Sequence, residues 1–450
     1  MNKLFFNMNK CTLFIALGLS ITSCSDTPID EAQQEPVKND SNIEDIIDDE
    51  EGKEFKHIHV KHFEPIILND VERLVNSQHT DFSVNFFKVA QKEMANKNFV
   101  ISPYSVSTAL SMLTNGAGGN TAVELQNVLL GEGATLDDLN DYNKRIASKI
   151  DTLDNLTQLE IANGIFPDKN ISLLSQFIDN NKNFYDASVL PVNFNNLAEC
   201  NPILNKWVDN ATHGLIKNMS VSTYTPLLIA NTLYFKSSWA QCFDKDYTKD
   251  ASFYNYDNTV STVKMMHGGN FDYNIDGDFA ILRIPFGNQA FSMYIAYNYA
   301  DQANSLNGID GFLTKENIKE NLYGRHSGPG SIKIPKFDVS ISDINIDVLL
   351  QNIGIKDLFG DKADLSNLFT NKENTLFKPS VFHECVLRVD ETGTEGAAKT
   401  LLLLIGAPSL TLPEPKDFIV DHPFVFWIAE KSTGTLLFMG QINKLENTKE

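Results

Sequence analysis

Basic charge is the first thing this chain lacks: 37 lysines and arginines stand against 58 aspartates and glutamates in 450 residues, a formal net charge of −21. Phosphate backbones need a basic face, and no long Lys/Arg stripe supplies one, so nucleic acid is excluded as a partner. Cysteine is also scarce. Five residues, Cys11, Cys24, Cys200, Cys242 and Cys385, are widely spaced, and the three beyond the N-terminal leader form no disulfide framework. Those three read as partly buried free thiols, with one optional disulfide left open. Long apolar runs are absent: Leu13 to Ile21 is the longest near the start, too short to span a bilayer as a mature helix. Enzyme signatures are missing as well. There is no Gly-x-Ser-x-Gly elbow, no His-Glu-x-x-His, no paired Cys ligands and no phosphate loop bearing Lys, although a dispersed triad leaves no sequence signature. The expectation is a non-enzyme with no cofactor and no metal.

What is present begins with a leader. Lys3 and Lys10 precede the apolar run, which ends in Ile21-Thr22-Ser23-Cys24. That ending resembles the bacterial lipobox, in which the Cys is lipidated and becomes the new N-terminus; a plain signal peptide cut nearby is the alternative. Lipid on Cys24 would hold the protein to a membrane of the bacterial cell envelope, surface-exposed or facing the exterior, without a transmembrane helix. Residues 1–24 are therefore read as a lipoprotein signal peptide. Residues 25–77 follow as a flexible acidic tether, since Ser25 to about Phe55 is poor in large apolar side chains and carries Asp48-Asp49-Glu50-Glu51. His57 and His59 share a face if extended and have metal-ligand chemistry. An alternating linker strand is the preferred reading of the pair.

With 42% hydrophobic residues the remainder can bury a sizeable core, and length alone suggests two or three domains. The folded unit is expected over 78–450. Phe82, Phe86, Val89 and Ala90 recur at helical spacing. Phe99-Val100-Ile101 predicts a short strand, and Ser102-Pro103 opens a second helix as cap and first-turn proline. Asn115-Gly116-Ala117-Gly118-Gly119 stops that helix, and Thr121-Ala122-Val123-Glu124 predicts a capping box for the next. Phe291 to Tyr297 and Val425 to Ala429 are β-rich runs between turn residues. Near the C-terminus one stretch is ambiguous: acidic and small from Val389 to Gly396, then aliphatic through Leu401-Leu402-Leu403-Leu404-Ile405. A loop that wants to be a strand is a candidate switch.

Asn98 to Leu129 resembles the N-terminal signature of the serpin family, N-x-x-x-S-P-x-S followed by a Gly-Ala turn. Asn231 to Trp239 resembles the family's N-x-x-x-F-K-G-x-W element, with Ser237 where Gly is usual. Further agreement lies in Val263-Lys264-Met265-Met266, Ile334-Pro335-Lys336-Phe337, Leu349 to Phe359, Asp364-Leu365-Ser366, His383 to Gly393, Asp421-His422-Pro423-Phe424 and Leu436 to Gly440, over about residues 78 to 444 and in family order.

The resemblance implies one mixed α+β domain, about nine helices around three β-sheets with an exposed reactive-centre loop, overriding the multi-domain expectation. It implies a monomeric suicide-substrate inhibitor that traps serine, and by extension cysteine, endopeptidases as an acyl-enzyme while the loop inserts into the central sheet. A non-inhibitory surface lipoprotein of the same fold is the alternative. Gly393, Thr394, Glu395, Gly396, Ala397, Ala398, Lys399 and Thr400 would form the hinge, with Thr394, Gly396, Ala398 and Thr400 facing inward and Glu395 and Lys399 outward. Family counting from Glu391 places the reactive bond at Ala407-Pro408, which suits an elastase-like enzyme. Proline beyond the bond, and a loop about five residues longer than usual, leave Ile405, Gly406 and Ser409 as alternatives. Ser102, Ser105 and Asn231 map onto the shutter of the sheet, Trp239 and His383 onto the breach at its top.

Overall fold

The computed structural model describes residues 60–448 apart from 220, 222–223, 270, 323–325, 328–329, 342–344, 372–378 and 395–415. Among the described residues there are nine α-helices: α1 (Asp70–Glu93), α2 (Pro103–Thr114), α3 (Gly119–Leu129), α4 (Leu136–Ile150), α5 (Ser175–Tyr185), α6 (Leu197–Ala211), α7 (Ile309–Phe312), α8 (Lys315–Asn321) and α9 (Ile346–Asn352). The strands are β1 (Phe99–Ile101), β2 (Thr157–Pro167), β3 (Ser188–Val189), β4 (Leu227–Ser238), β5 (Lys249–Tyr254), β6 (Val260–Gly269), β7 (Asp272–Asp276), β8 (Phe279–Pro285), β9 (Phe291–Asn298), β10 (His326–Ser327), β11 (Gly330–Pro335), β12 (Phe337–Ser340), β13 (Ser380–Phe382), β14 (Val386–Val389), β15 (Gly393–Thr394), β16 (Lys416–Ile419), β17 (Phe424–Glu430) and β18 (Leu436–Ile442).

They form three sheets. One is ordered β1-β18-β17-β9-β8-β7-β10 and a second β16-β11-β6-β5. The third, central to the site, runs β12-β14-β15-β4-β2-β3 and takes β13 alongside β4. Every residue of β9 and β17 is buried, so the middle of the first sheet is covered on both faces and these two strands read as near-continuous apolar runs rather than as alternation. Tyr294 and Trp427 stack there with centroids 5.3 Å apart.

Helix α2 is buried along its whole length, behind the central sheet. Its serines and threonines would be costly there unless bonded, and all but Ser105 turn back on the helix. Thr108 donates to the Tyr104 carbonyl, Ser111 to Ser107 and Thr114 to Leu110. Ser102 caps it as the sequence predicts, accepting from the Ser105 amide at 3.2 Å.

Two expectations need correcting. The folded unit does not start near Gln78, which lies inside α1. That helix opens at Asp70 with a capping box between Asn69 and Glu72, and the strap before it is fixed too: the Lys61 amide donates to Asn155, and the Ile66 amide to Ser432. The strap holds because Ile66 and Leu68 bury apolar surface that composition averaged over the acidic tether conceals. Nor do Thr121 and Glu124 form a capping box. Helix α3 begins earlier, with Gly118 at its cap, because the segment at Asp364 to Ser366 presses against it; a Cβ on Gly118 would sit 2.4 Å from the Ser366 hydroxyl. Thr121 accepts from the Asp364 amide, and Glu124 from Lys356 and Asp357.

Candidate functional site

Strand β14 ends in a tight turn. Asp390 Oδ1 accepts from the Thr392 amide, the Thr392 hydroxyl and the Gly393 amide, and the Asp390 amide donates to the Gly393 carbonyl at 3.0 Å. The chain therefore doubles back, and β15 runs antiparallel to β14 on one side and to β4 on the other. Gly393 has φ +148°, and a Cβ there would lie 2.0 Å from the Ser237 carbonyl oxygen, so the position demands glycine. Thr394 is fully buried and its hydroxyl accepts from the Ser237 amide at 3.1 Å. One row across the sheet reads Phe337, Val389, Thr394, Ser237, Thr157.

Lower down the sheet is closed. Strand β13 pairs directly and in parallel with β4, Phe382 opposite Ala230. From there to the Thr394 row the two flanking strands part by the width of one strand, about 4.8 Å. The result is a wedge, filled at its mouth by β15.

At the top of the wedge the turn is pinned by aromatic and charged groups. Trp239, fully buried, donates its indole N–H to the Asp390 carbonyl at 2.8 Å and stacks on Phe286 at 4.4 Å. Glu391, 4% exposed, accepts from Lys336 Nζ at 2.8 Å and from the Thr248 hydroxyl at 3.0 Å. Burial pushes the Glu391 carboxyl up, but the bonds from Lys336 and Thr248 outweigh it and the group titrates below its ordinary value.

At the apex lies a polar cluster. The amide of Ser102 donates to His383 Nε2 at 3.3 Å, the Cys385 thiol approaches the same nitrogen at 3.6 Å, and Phe86 meets the ring edge-on. With donors on Nε2 the ring is neutral and protonated on Nδ1. Burial lowers the imidazole from its ordinary value to about 4 and pushes the Cys385 thiol up. Asn231 donates to Asn163 Oδ1 at 2.6 Å, while its own Oδ1 and the Ser105 hydroxyl have no partner among the protein atoms described.

The structure thus assigns His383 to the apex with Ser102, not to the top with Trp239. The reason is register: His383 follows Phe382, which stands opposite Ala230, and Trp239 is nine residues along β4 from there, about 30 Å. Ser105 lies one turn into α2. Of the expected hinge only Gly393 and Thr394 are described. Glu395, Gly396, Ala397, Ala398, Lys399 and Thr400, the bond candidates Ile405, Gly406, Ala407, Pro408 and Ser409, and Cys24, His57 and His59 lie outside the described residues. Sequence reasoning missed Lys336, Glu391, Asp390 and Asn163. Lys336 and Glu391 each stand inside a quoted motif, but nothing in one strand announces a charge partner in another. Cys200 and Cys385 are buried thiols, and Cys242, partly exposed, lies 3.9 Å from the Trp239 and Thr392 carbonyls.

The model of the family described as Serpin (serine protease inhibitor) matches residues 77–445. The leukocyte elastase inhibitor of Bos taurus is 31% identical over 386 residues, covering 82% of this chain and 99% of that protein. Serpin-Z2A of Triticum aestivum is 33% identical over 375 residues, 78% of this chain and 90% of its own. Among solved structures, the thermophilic serpin tengpin in its native state superposes with a TM-score of 0.73 at 22% identity, covering 86% of this chain and 98% of its own. Native protease nexin-1 with heparin gives 0.70 at 27%, with 83% and 100% covered. With nine helices and three sheets among the described residues, a wedge in the central sheet and a family match over residues 77–445, the chain belongs to the serpin family.

Proposed function

We propose that the protein is a suicide-substrate inhibitor of endopeptidases, with elastase-like serine proteases as first targets and cysteine proteases as a second group. A protease attacks the loop, at Ala407-Pro408 or at a neighbouring bond from Ile405 to Ser409. The serine or cysteine nucleophile adds to the scissile carbonyl, the peptide C–N bond breaks and the new amine leaves with the C-terminal segment. The acyl-linked protease is then carried off as the freed strand inserts into the wedge. The native state is held kinetically, since insertion adds strand hydrogen bonds and buries apolar side chains. About fifteen residues from Gly393, at about 3.3 Å each, reach about 50 Å.

The observation that carries this reading is Thr394, buried between β14 and β4 as the first inward residue of a strand not yet added. The leukocyte elastase inhibitors at 29 to 31% identity support the target class. The test is incubation of the mature protein with elastase-like, subtilisin-like and papain-like enzymes, followed by a denaturing gel. An SDS-stable adduct is expected with at least one. Cleaved product without adduct for all of them overturns the trap and favours a non-inhibitory surface protein.

Lipid on Cys24 anchors this inhibitor to the bacterial cell envelope in the same proposal, supported by the leader and its lipobox-like ending. Cys24→Ser should release the protein from membrane to aqueous fractions. Unchanged partitioning would exclude the anchor.

A further inference from the structure

Ser237 stands where the family motif usually has glycine, and its side chain is fully buried in the row that seats Thr394. Its hydroxyl lies 2.6 Å from that of Thr157 on β2. Thr157 in turn donates to Asp154 Oδ2 at 2.7 Å. A carboxylate oxygen only accepts, so Thr157 spends its proton on Asp154 and Ser237 must donate to Thr157. The direction of the whole chain is thereby fixed.

Asp154 carries the connection off the central sheet. Its carboxylate also accepts from the Leu156 amide at 3.0 Å and from the Asn288 amide at 3.2 Å, in the turn between β8 and β9. Gly287 in that turn packs so closely that a Cβ would fall 1.9 Å from Asp154 Oδ2. The turn is bonded to the top of β4 as well, Gly287 amide to Ser238 carbonyl at 2.9 Å. Asn288 uses its side chain to hold the strap before α1, donating to the Lys61 carbonyl at 2.9 Å and to the Leu153 carbonyl at 2.8 Å.

We propose that Ser237, Thr157 and Asp154 form a polar latch that anchors the β2–β4 half of the central sheet to the β8–β9 turn and so sets the rate at which the wedge opens. This rests on the insertion reading above. Admitting a strand below Thr394 requires β4, with β2 bonded along its full length, to shift by about 4.8 Å relative to β14. The β8–β9 turn belongs to another sheet, so the relay, continued by the Asn288 amide on Asp154, ties a part that shifts to one that stays. These three are positioning residues; none touches the acyl bond.

The test uses the intact full chain and a synthetic peptide of residues 394–407 as the probe, following peptide incorporation by native gel. Ser237→Gly restores the usual family residue and should fold. Incorporation should quicken about tenfold in Ser237→Gly and in Thr157→Val, the scale of one buried hydrogen bond acting on a rate. The double variant should be no faster than the quicker single, because both changes break the same relay, and Thr157→Ser should stay within about twofold of the parent. Parent-like rates in both single variants, with the parent taking up peptide, overturn the latch and leave the inhibitor reading intact. Additive acceleration in the double variant likewise overturns it. A parent that neither incorporates peptide nor forms protease adducts sinks the inhibitor reading, and the latch with it.

Discussion

Val389 and Ser237 face each other across Thr394, one on either side, although seven residues earlier β13, which leads into β14, pairs directly with β4 at Phe382 and Ala230. The offset between the strands is the same at both places. They have been spread, not slipped. Continuing β15 in register would lay residues 395–400 against Lys236 back to Asn231, and the next position down is already occupied by β13. On the proposed mechanism, insertion of the first residues would widen a wedge that is already started at Thr394, whereas insertion past Asn231 would also have to unpair β13 from β4.

Joining that closed pair should stop the trap reversibly. Phe382 and Ala230 are direct partners on adjacent strands, a separation that suits a disulfide. The Phe382→Cys, Ala230→Cys double variant, oxidised, should be cleaved by a target protease without forming adduct. Reduction should restore the adduct on the gel. Equal adduct in both redox states would show that insertion does not pass Ala230.

Thr394→Arg tests the mouth of the wedge. The side chain is fully buried and its hydroxyl is bonded to Ser237, so a guanidinium there would lose its hydration without a counter-charge, at a cost of several kcal/mol. The variant should turn from inhibitor to substrate, with adduct yield down by a factor on the order of ten or more. Stoichiometric inhibition by it would mean that Thr394 does not face inward.

How much of this the sequence carried depended on the range of the interactions. Ser102 as a helix cap, the strand at Phe99 and the hairpin of β17 and β18 are local, set by neighbours a few residues away, and they stand as read. The strap before α1 was hidden because Ile66 and Leu68 are few among acidic residues, and their burial depends on partners hundreds of positions away, such as Ser432. His383 was misplaced because a motif gives order along the chain, while only strand register says which row a residue occupies. Ser237 was legible as a departure from the family pattern, but its meaning needed Thr157 and Asp154, which no local pattern links to it.

Lys336 and Glu391 should matter to stability more than a surface pair would. Glu391 is buried while Lys336 is partly open to water, so Lys336→Ala leaves a carboxylate held only by Thr248 and the backbone, costing about 1–3 kcal/mol. Thermal unfolding of the uncleaved protein should shift downward. The acid limb follows from the same pair: a folded-state value below the unfolded one means the stabilisation is present above the ordinary carboxylate range and is lost as pH falls through the folded value. Removing Lys336 should flatten that limb below about pH 4.5.

His383 gives a second pH dependence, in a higher window. Its folded-state value is lowered to about 4 from 6.5, so between those values the opened or unfolded chain binds a proton that the closed wedge does not. Closure should therefore be strongest above about pH 6.5 and weaken as pH falls towards about 4. The structural cause is specific: a proton on Nε2 removes the acceptor for the Ser102 amide and turns a donor towards it. His79 is lowered by burial to about 4 as well and contributes to global unfolding over the same window, so stability alone will not isolate His383. Incorporation of the 394–407 peptide will, because it reports on the wedge. The rate should rise from pH 7.5 to pH 5 in the parent, and His383→Gln, which keeps an acceptor but cannot titrate, should show little change. A parent rate that is flat over this range would mean that the apex does not open before the strand enters.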